Sequence, residues 1–176
     1  MGISKLKIPR SGYVPMNAKE IKGDLITDEN IKLALVVAKF NELVTDKLAS
    51  SCLNRLDELG VSEENLSLIK VPGAREVPLA VKKVLIKDKS LDAVIVLACV
   101  IRGETPHFEY VAQEISKGTA LLSLEHEVPV IFGVITANSL EEAMDRAGGK
   151  MGNKGITAAE NAVEMANLIS DIDNEL

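Results

Sequence analysis

The segment Ala98-Cys-Val-Ile-Arg-Gly-Glu-Thr-Pro-His-Phe-Glu-Tyr110 contains the features that decide the fold. Its first four residues are the end of a run, residues 92–101, that is apolar after one acid. The length and branched side chains of this run predict a strand buried on both faces, as in a parallel sheet. Thr105 and Pro106 predict a helix start, with a hydroxyl at the N-cap and proline at the first helical position. His107 would then lie in the first turn, where unpaired backbone N–H groups favour an anion and a neutral imidazole. The alternative is an ordinary strand-to-helix turn with a surface histidine.

The rest of the chain alternates between strand and helix patterns. Such alternation predicts an α/β domain of three layers, α/β/α, with a parallel sheet of about four strands and a short N-terminal edge strand. The predicted strands are residues 33–38, 66–71, 92–101 and 128–135, with the edge strand at 20–25. The predicted helices are residues 44–59, 77–87, 105–126 and 155–169, with a short one capped by Ser139.

The 176 residues are enough for one domain that buries its own core. Residues 1–17 show neither a helix nor a strand period and contain two prolines. We interpret them as an extension that is loose or ordered only against a partner, and residues 18–176 as the single domain.

Composition excludes several classes of function. The net charge of −6 argues against a nucleic-acid binder. No apolar run is long enough for a membrane span, and no signal-peptide pattern is visible. Cys52 and Cys99 fall in apolar patterns and predict buried, reduced thiols, which fits a cytoplasmic protein. The presence of only two histidines argues against a metal site made by protein ligands alone, and nothing in the sequence calls for a cofactor.

Chemically interesting residues follow the predicted strands. Phe40 and Asn41, residues 73–76, residues 102–107 and Phe132 all fall at or near predicted strand carboxyl ends. Ligands of open α/β sheets bind at this edge. The sequence therefore predicts a binding or catalytic site there, without identifying its chemistry.

Five motifs in register over residues 20–170 resemble the 6,7-dimethyl-8-ribityllumazine synthase family. They are Phe40-Asn-Glu42, Pro72-Gly-Ala-Arg-Glu-Val-Pro78, Val100-Ile-Arg-Gly-Glu-Thr-Pro-His-Phe-Glu-Tyr110, Pro129-Val-Ile-Phe-Gly-Val-Ile-Thr136 and Arg146-Ala-Gly-Gly-Lys-Met-Gly-Asn-Lys-Gly155. The resemblance implies a flavodoxin-like fold. It also implies a transferase that condenses 5-amino-6-ribitylaminouracil with 3,4-dihydroxy-2-butanone 4-phosphate. The products are 6,7-dimethyl-8-ribityllumazine, phosphate and water, in the penultimate step of riboflavin synthesis.

The resemblance also implies roles for individual residues. His107 would be catalytic and shuttle protons. Phe40 would stack on the pyrimidine, although a phenylalanine at the edge of the core is the alternative. The remaining substrate-binding positions fall into four groups. The backbone of Ala74, Arg75 and Glu76 would hold the ribityl chain, the backbone of Cys99, Val100 and Ile101 would pair with the uracil edge, Glu104 and Thr105 would form the phosphate turn, and Arg146 and Lys154 would supply cations for the phosphate.

Arg75 departs from the family pattern. Family members commonly carry an aromatic or other bulky apolar residue at this position, so the role of the Arg75 side chain is left open. Arg146 also has a structural alternative, a cap at the end of a helix.

The resemblance implies a homo-oligomer, either a pentamer or an icosahedral shell of pentamers. Phe132 would line the site of a neighbouring subunit. In that family, relatives that stop at pentamers carry an insertion in the turn between the last two helices. The matching turn here, residues 148–155, is short and lacks it, so the resemblance implies that a shell is sterically allowed.

Two other functions stay open from the sequence. One is a non-catalytic relative that binds flavin or lumazine or forms a shell, with Arg75 as its only support. The other is a riboflavin synthase that evolved on the same fold. The presence of both His107 and Arg146 favours the enzyme.

Overall fold

The chain forms a four-stranded parallel sheet with helices on both faces, as the sequence predicts. A computed structural model describes residues 18–27 and 30–176. The strands are β1 (Leu33–Ala38), β2 (Leu66–Val71), β3 (Ala93–Ile101), β4 (Val130–Ala137) and the short pair β5 (Ala147–Gly149) and β6 (Gly152–Asn153). The helices are α1 (Glu42–Glu58), α2 (Val77–Lys87), α3 (His107–His126), α4 (Leu140–Asp145) and α5 (Lys154–Glu175). Two single 3₁₀ turns, Glu63–Asn65 and Ala74–Glu76, precede β2 and α2.

The sheet order is β2-β1-β3-β4, with every neighbouring pair parallel. All six residues of β1 are buried, because both of its faces are covered. Leu33, Leu35 and Val37 point into a core shared with α1 and α5. The alternate residues Ala34 and Val36 point into a second core shared with α2 and α3. This alternation confirms the three-layer arrangement.

Several element boundaries differ from the prediction, and the largest differences are in β4 and α5. Strand β4 begins at Val130 and continues to Ala137, which pairs with Ile101 at the end of β3. Pro129 precedes the strand, where its carbonyl accepts the N–H of Val94. Helix α5 begins at Lys154 and continues to Glu175, beyond the predicted end at residue 169.

The predicted edge strand at residues 20–25 does not form, and that prediction is wrong. Residues 18–27 lie along α5 instead. The Asn167 side-chain amide donates to the carbonyl oxygens of Asp24, at 3.0 Å, and Ile26, at 2.9 Å. Gly23 lies so close to the Glu164 carbonyl that any side chain there would collide with it. These contacts occupy backbone groups that a strand would need for its ladder. The predicted extension, residues 1–17, lies outside the described residues.

Both cysteines, Cys52 and Cys99, are buried free thiols, as predicted. In the described part of the chain, no helix is both long and apolar enough to cross a membrane.

Candidate active site

A cleft of about 320 Å³ opens at the carboxyl ends of β1 and β3. The chain places β2 on one side of β1 and β3 on the other, so this is the point where the strand order reverses. Open α/β sheets bind their ligands at such a point, because the two connecting segments diverge there. The cleft is lined by Phe40, Asn41, Gly73, Ala74, Arg75, Glu76, Cys99, Val100, Ile101, His107, Phe108 and Val111.

Phe40 presents its ring to the cleft, and 69% of the residue is exposed. That exposure does not fit the alternative in which Phe40 belongs to the core. Its backbone is fixed, because its N–H donates to the Pro72 carbonyl at 3.1 Å and continues the ladder between β1 and β2. The ring is thus an apolar surface on a rigid support, which suits a flat heterocycle.

Asn41 makes the turn that follows Phe40. It adopts the left-handed conformation, with φ 61° and ψ 45°, which asparagine tolerates better than most residues. Its side-chain Nδ2 donates to the Cys99 carbonyl at 2.9 Å. This bond joins the end of β1 to the end of β3 directly beneath the cleft.

The turn after β2 forms a second wall of the cleft. Ala74 is buried, whereas Arg75 and Glu76 are exposed and line the opening. Arg75 Nη1 lies 3.7 Å from Glu114 Oε2 on α3. The wall therefore offers one carboxylate, one guanidinium and backbone groups to a ligand.

Cys99, Val100 and Ile101 form the floor at the end of β3. Burial raises the pKa of the Cys99 thiol to about 11, so the thiol stays protonated at neutral pH. The Cys99 side chain is therefore unsuited to act as a nucleophile, and the floor presents main-chain groups and apolar surface.

His107 is the first residue of α3, one position later than the helix start predicted from Pro106. Thr105 does not cap the helix, because no side chain bonds to its first turn and Pro106 occupies the cap position. His107 is exposed and lines the cleft with Phe108 and, one helical turn later, Val111. The helix N-terminus thereby brings both an imidazole and free backbone N–H groups to the opening.

Arg102 stabilises this helix start from outside the cleft. Its N–H donates to the Ala137 carbonyl at 2.9 Å, which fixes the end of β3 against β4. Its guanidinium lies over the Phe108 ring, 4.6 Å from the centroid, a favourable cation–π distance.

Five predicted site residues do not line this cleft in the described chain. Glu104 and Thr105 lie in the exposed turn that leads into α3. Phe132 and Lys154 line a different cleft, about 510 Å³, between the edge strand β4 and α5. Arg146 Nη1 donates to the Glu142 carbonyl at 2.8 Å, so Arg146 caps the end of α4, as its structural alternative predicts.

Sequence reasoning did not single out Phe108 or Val111, and it placed Asn41 at this edge without giving it a role. The first two follow His107 by one and four residues, so helical spacing from His107 would have found Val111. Asparagine directly after a buried strand is a signal for a left-handed turn, and it could have predicted the conformation of Asn41. Among the described residues, no group of three or more His, Cys, Asp or Glu side chains is placed to hold a metal ion.

The comparisons with known proteins support one family. A solved structure of an oxidoreductase from Corynebacterium diphtheriae is 14% identical, covers 82% of this chain and 99% of its own, and gives a TM-score of 0.41. At that level the similarity carries no argument about fold or function. The family described as 6,7-dimethyl-8-ribityllumazine synthase matches residues 30–170, which include every element from β1 to most of α5. The chain therefore belongs to the 6,7-dimethyl-8-ribityllumazine synthase family, whose function lies in riboflavin biosynthesis.

Proposed function

We propose that this protein is a transferase that condenses 5-amino-6-ribitylaminouracil with 3,4-dihydroxy-2-butanone 4-phosphate. The products are 6,7-dimethyl-8-ribityllumazine, phosphate and water. Family membership supports this reaction, and the strongest structural support is the set of residues that line the cleft. Phe40 and His107 line the same cleft, together with the turn after β2 and the end of β3.

The pyrimidine substrate would occupy the inner part of the cleft. Its ring stacks on Phe40, and its polar edge pairs with the main chain of Cys99, Val100 and Ile101. The Cys99 carbonyl already accepts a bond from Asn41, yet a carbonyl oxygen has a second lone pair for a ligand. The ribityl chain follows the 3₁₀ turn Ala74–Glu76, where the Glu76 carboxylate accepts from a hydroxyl.

The phosphorylated substrate would bind at the outer part, near the start of α3. Backbone N–H groups at Glu104 and Thr105 and at the helix N-terminus suit a phosphate. His107 moves protons during imine formation and phosphate elimination, a contribution typically worth about 10²–10⁴-fold in rate. Holding the two substrates together contributes further.

We also propose that the site is completed by a second copy of the chain. Phe132, Arg146 and Lys154 lie away from the His107 cleft of their own chain. Phe132 projects from β4, the last strand in the sheet order, and 43% of it is exposed. A neighbouring subunit seated against this edge would bring these residues to the first subunit's cleft. A pentamer, or a shell of pentamers, provides such an interface at every site.

A turnover assay of His107→Ala tests the catalytic role. Lumazine fluorescence is followed with both substrates, and the spontaneous reaction is subtracted. We expect a clear loss of rate with little loss of stability, because His107 is exposed. Unchanged activity would leave His107 without a catalytic role.

Complementation tests the shared site. His107→Ala and Arg146→Ala chains are refolded or expressed together and compared with each variant alone. If each site takes His107 from one subunit and Arg146 from the next, random mixing in a ring leaves about a quarter of the sites with both residues intact. Activity no higher than the average of the two separate variants would contradict a site shared in this way.

A further inference from the structure

Arg75 gives the His107 cleft a feature that the proposed reaction does not use. Of the described residues that line this cleft, Arg75 is the one with a permanent positive charge. Glu76, the next residue, contributes a negative charge to the same wall. Arg146 and Lys154, the cations assigned to the phosphate, lie elsewhere in the chain.

The Arg75 guanidinium is held only loosely. It lies 3.7 Å from Glu114, and the two side chains are 63% and 64% exposed. Exposed pairs at this distance contribute little, so a ligand anion can replace Glu114 without a large loss. The pair also lies beside the opening. His107, Val111 and Glu114 are spaced by four and three residues along α3, which places them on one face of the helix.

We propose that Arg75 is a specificity-determining residue that gives the cleft affinity for a phosphate monoester at the free end of the polyol chain. This inference depends on the proposed function, which places the polyol along residues 74–76. A planar guanidinium can bond two phosphate oxygens at once, whereas a neutral chain end does not need a cation. Glu114 serves as the anion for Arg75 when no phosphate is bound.

Riboflavin and riboflavin 5′-phosphate are suitable probes, because they share a flat heterocycle and a ribityl chain and differ in the terminal phosphate. Their dissociation constants are measured by flavin fluorescence quenching with the full chain in its own assembly. We expect the phosphorylated form to bind about tenfold more tightly, the size of a charge-assisted contact. Arg75→Gln should remove this preference, because it should weaken the binding of riboflavin 5′-phosphate far more than that of riboflavin. Arg75→Lys should keep part of it, and Glu114→Gln should increase it.

Lys82→Gln is the matched control. Lys82 pairs with Glu125 at 3.2 Å, also between exposed side chains, and it does not line the His107 cleft. The substitution removes the same charge and an equivalent ion pair, so we expect it to leave the preference intact.

Three results would overturn the proposal: equal affinity for both flavins in the wild type, an unchanged preference in Arg75→Gln, or the same loss in Lys82→Gln. Failure of both flavins to bind would overturn it as well. The turnover assay distinguishes that result from failure of the proposed function, since lumazine formation without flavin binding would leave the reaction in place.

Discussion

Replacing Asn41 should destabilise the protein through two separable effects. Asn41 holds a left-handed backbone conformation, and its side chain donates to the Cys99 carbonyl at 2.9 Å. Asn41→Ala removes the hydrogen bond and places a residue with a Cβ and no compensating polar group in that conformation. Asn41→Gly also removes the bond but adopts the left-handed conformation freely.

The two effects have similar magnitudes. Loss of the hydrogen bond should cost about 1 kcal/mol in the free energy of unfolding. The left-handed conformation should cost alanine about 1 kcal/mol more. Asn41→Ala should therefore lose about 2 kcal/mol, which for a domain of this size lowers Tm by roughly 4–8 °C. Asn41→Gly should lose about half as much.

Thermal unfolding of the three proteins at one fixed concentration measures this difference, since assembly makes Tm depend on concentration. Riboflavin affinity should fall in both variants, because the turn also sets the position of the adjacent Phe40 ring. A glycine variant no more stable than the alanine variant would show that the left-handed conformation at residue 41 does not cost alanine stability. Two variants as stable as the wild type would refute the role of the bond to Cys99.

Three further predictions follow from particular contacts. Arg146→Ala should raise KM for the phosphorylated substrate about tenfold and more than KM for the pyrimidine, because the proposed bidentate contact with the phosphate would be lost. Equal effects on both KM values would assign Arg146 to capping alone. Gly155→Ala should lower the free energy of unfolding, measured by chemical denaturation, by about 3 kcal/mol, because the new Cβ would collide with a backbone carbonyl of α1. Gly103→Ala is the control, and it should be nearly neutral because open space surrounds Gly103. Burial raises the pKa of Cys52 to about 12 and of Cys99 to about 11, so neither thiol should react with a thiol reagent at pH 8 until the protein is denatured. Rapid labelling of the native protein would contradict the burial of both thiols. Because folding raises both pKa values, the stability that these thiols contribute is present below about pH 9 and is lost as the pH rises through 11 and 12.

The sheet was predictable from the sequence because its two central strands, β1 and β3, are buried almost throughout, whereas the edge strands are partly exposed. Leu33–Ala38 forms as predicted, since a short run of apolar residues between polar segments has few other ways to be buried. The edge strand Leu66–Val71 also forms at its predicted bounds. Helix ends were less predictable. Pro106 occupies the N-cap position of α3, and no side chain, Thr105 included, bonds to the first turn of the helix.

The N-terminal segment shows where local pattern fails. Residues 20–25 alternate in polarity like an edge strand, but their partner is the Asn167 side chain on α5, far away in sequence. Whether a segment forms a strand depends more on the elements that pack around it than on its own residues. A single sequence does not show which elements those are.

The sequence predicted most of the residues that line the cleft, but it did not predict which of the candidate residues share it. Strand ends of a parallel sheet share one edge, which brings Phe40, the 74–76 turn and His107 together. The same rule also suggested that Phe132 would lie near this edge. Instead, Phe132 pairs with Val96 in the middle of β3 and lines the cleft beside α5.

Formation of lumazine and phosphate from the two substrates is the direct test of the proposed reaction. Purified protein is mixed with 5-amino-6-ribitylaminouracil and 3,4-dihydroxy-2-butanone 4-phosphate, while lumazine fluorescence and free phosphate are recorded together against a protein-free mixture. We predict that both products appear in equal amounts, at a rate that is proportional to protein concentration and well above the spontaneous rate. A rate no higher than that of the protein-free mixture would contradict the proposed transferase function.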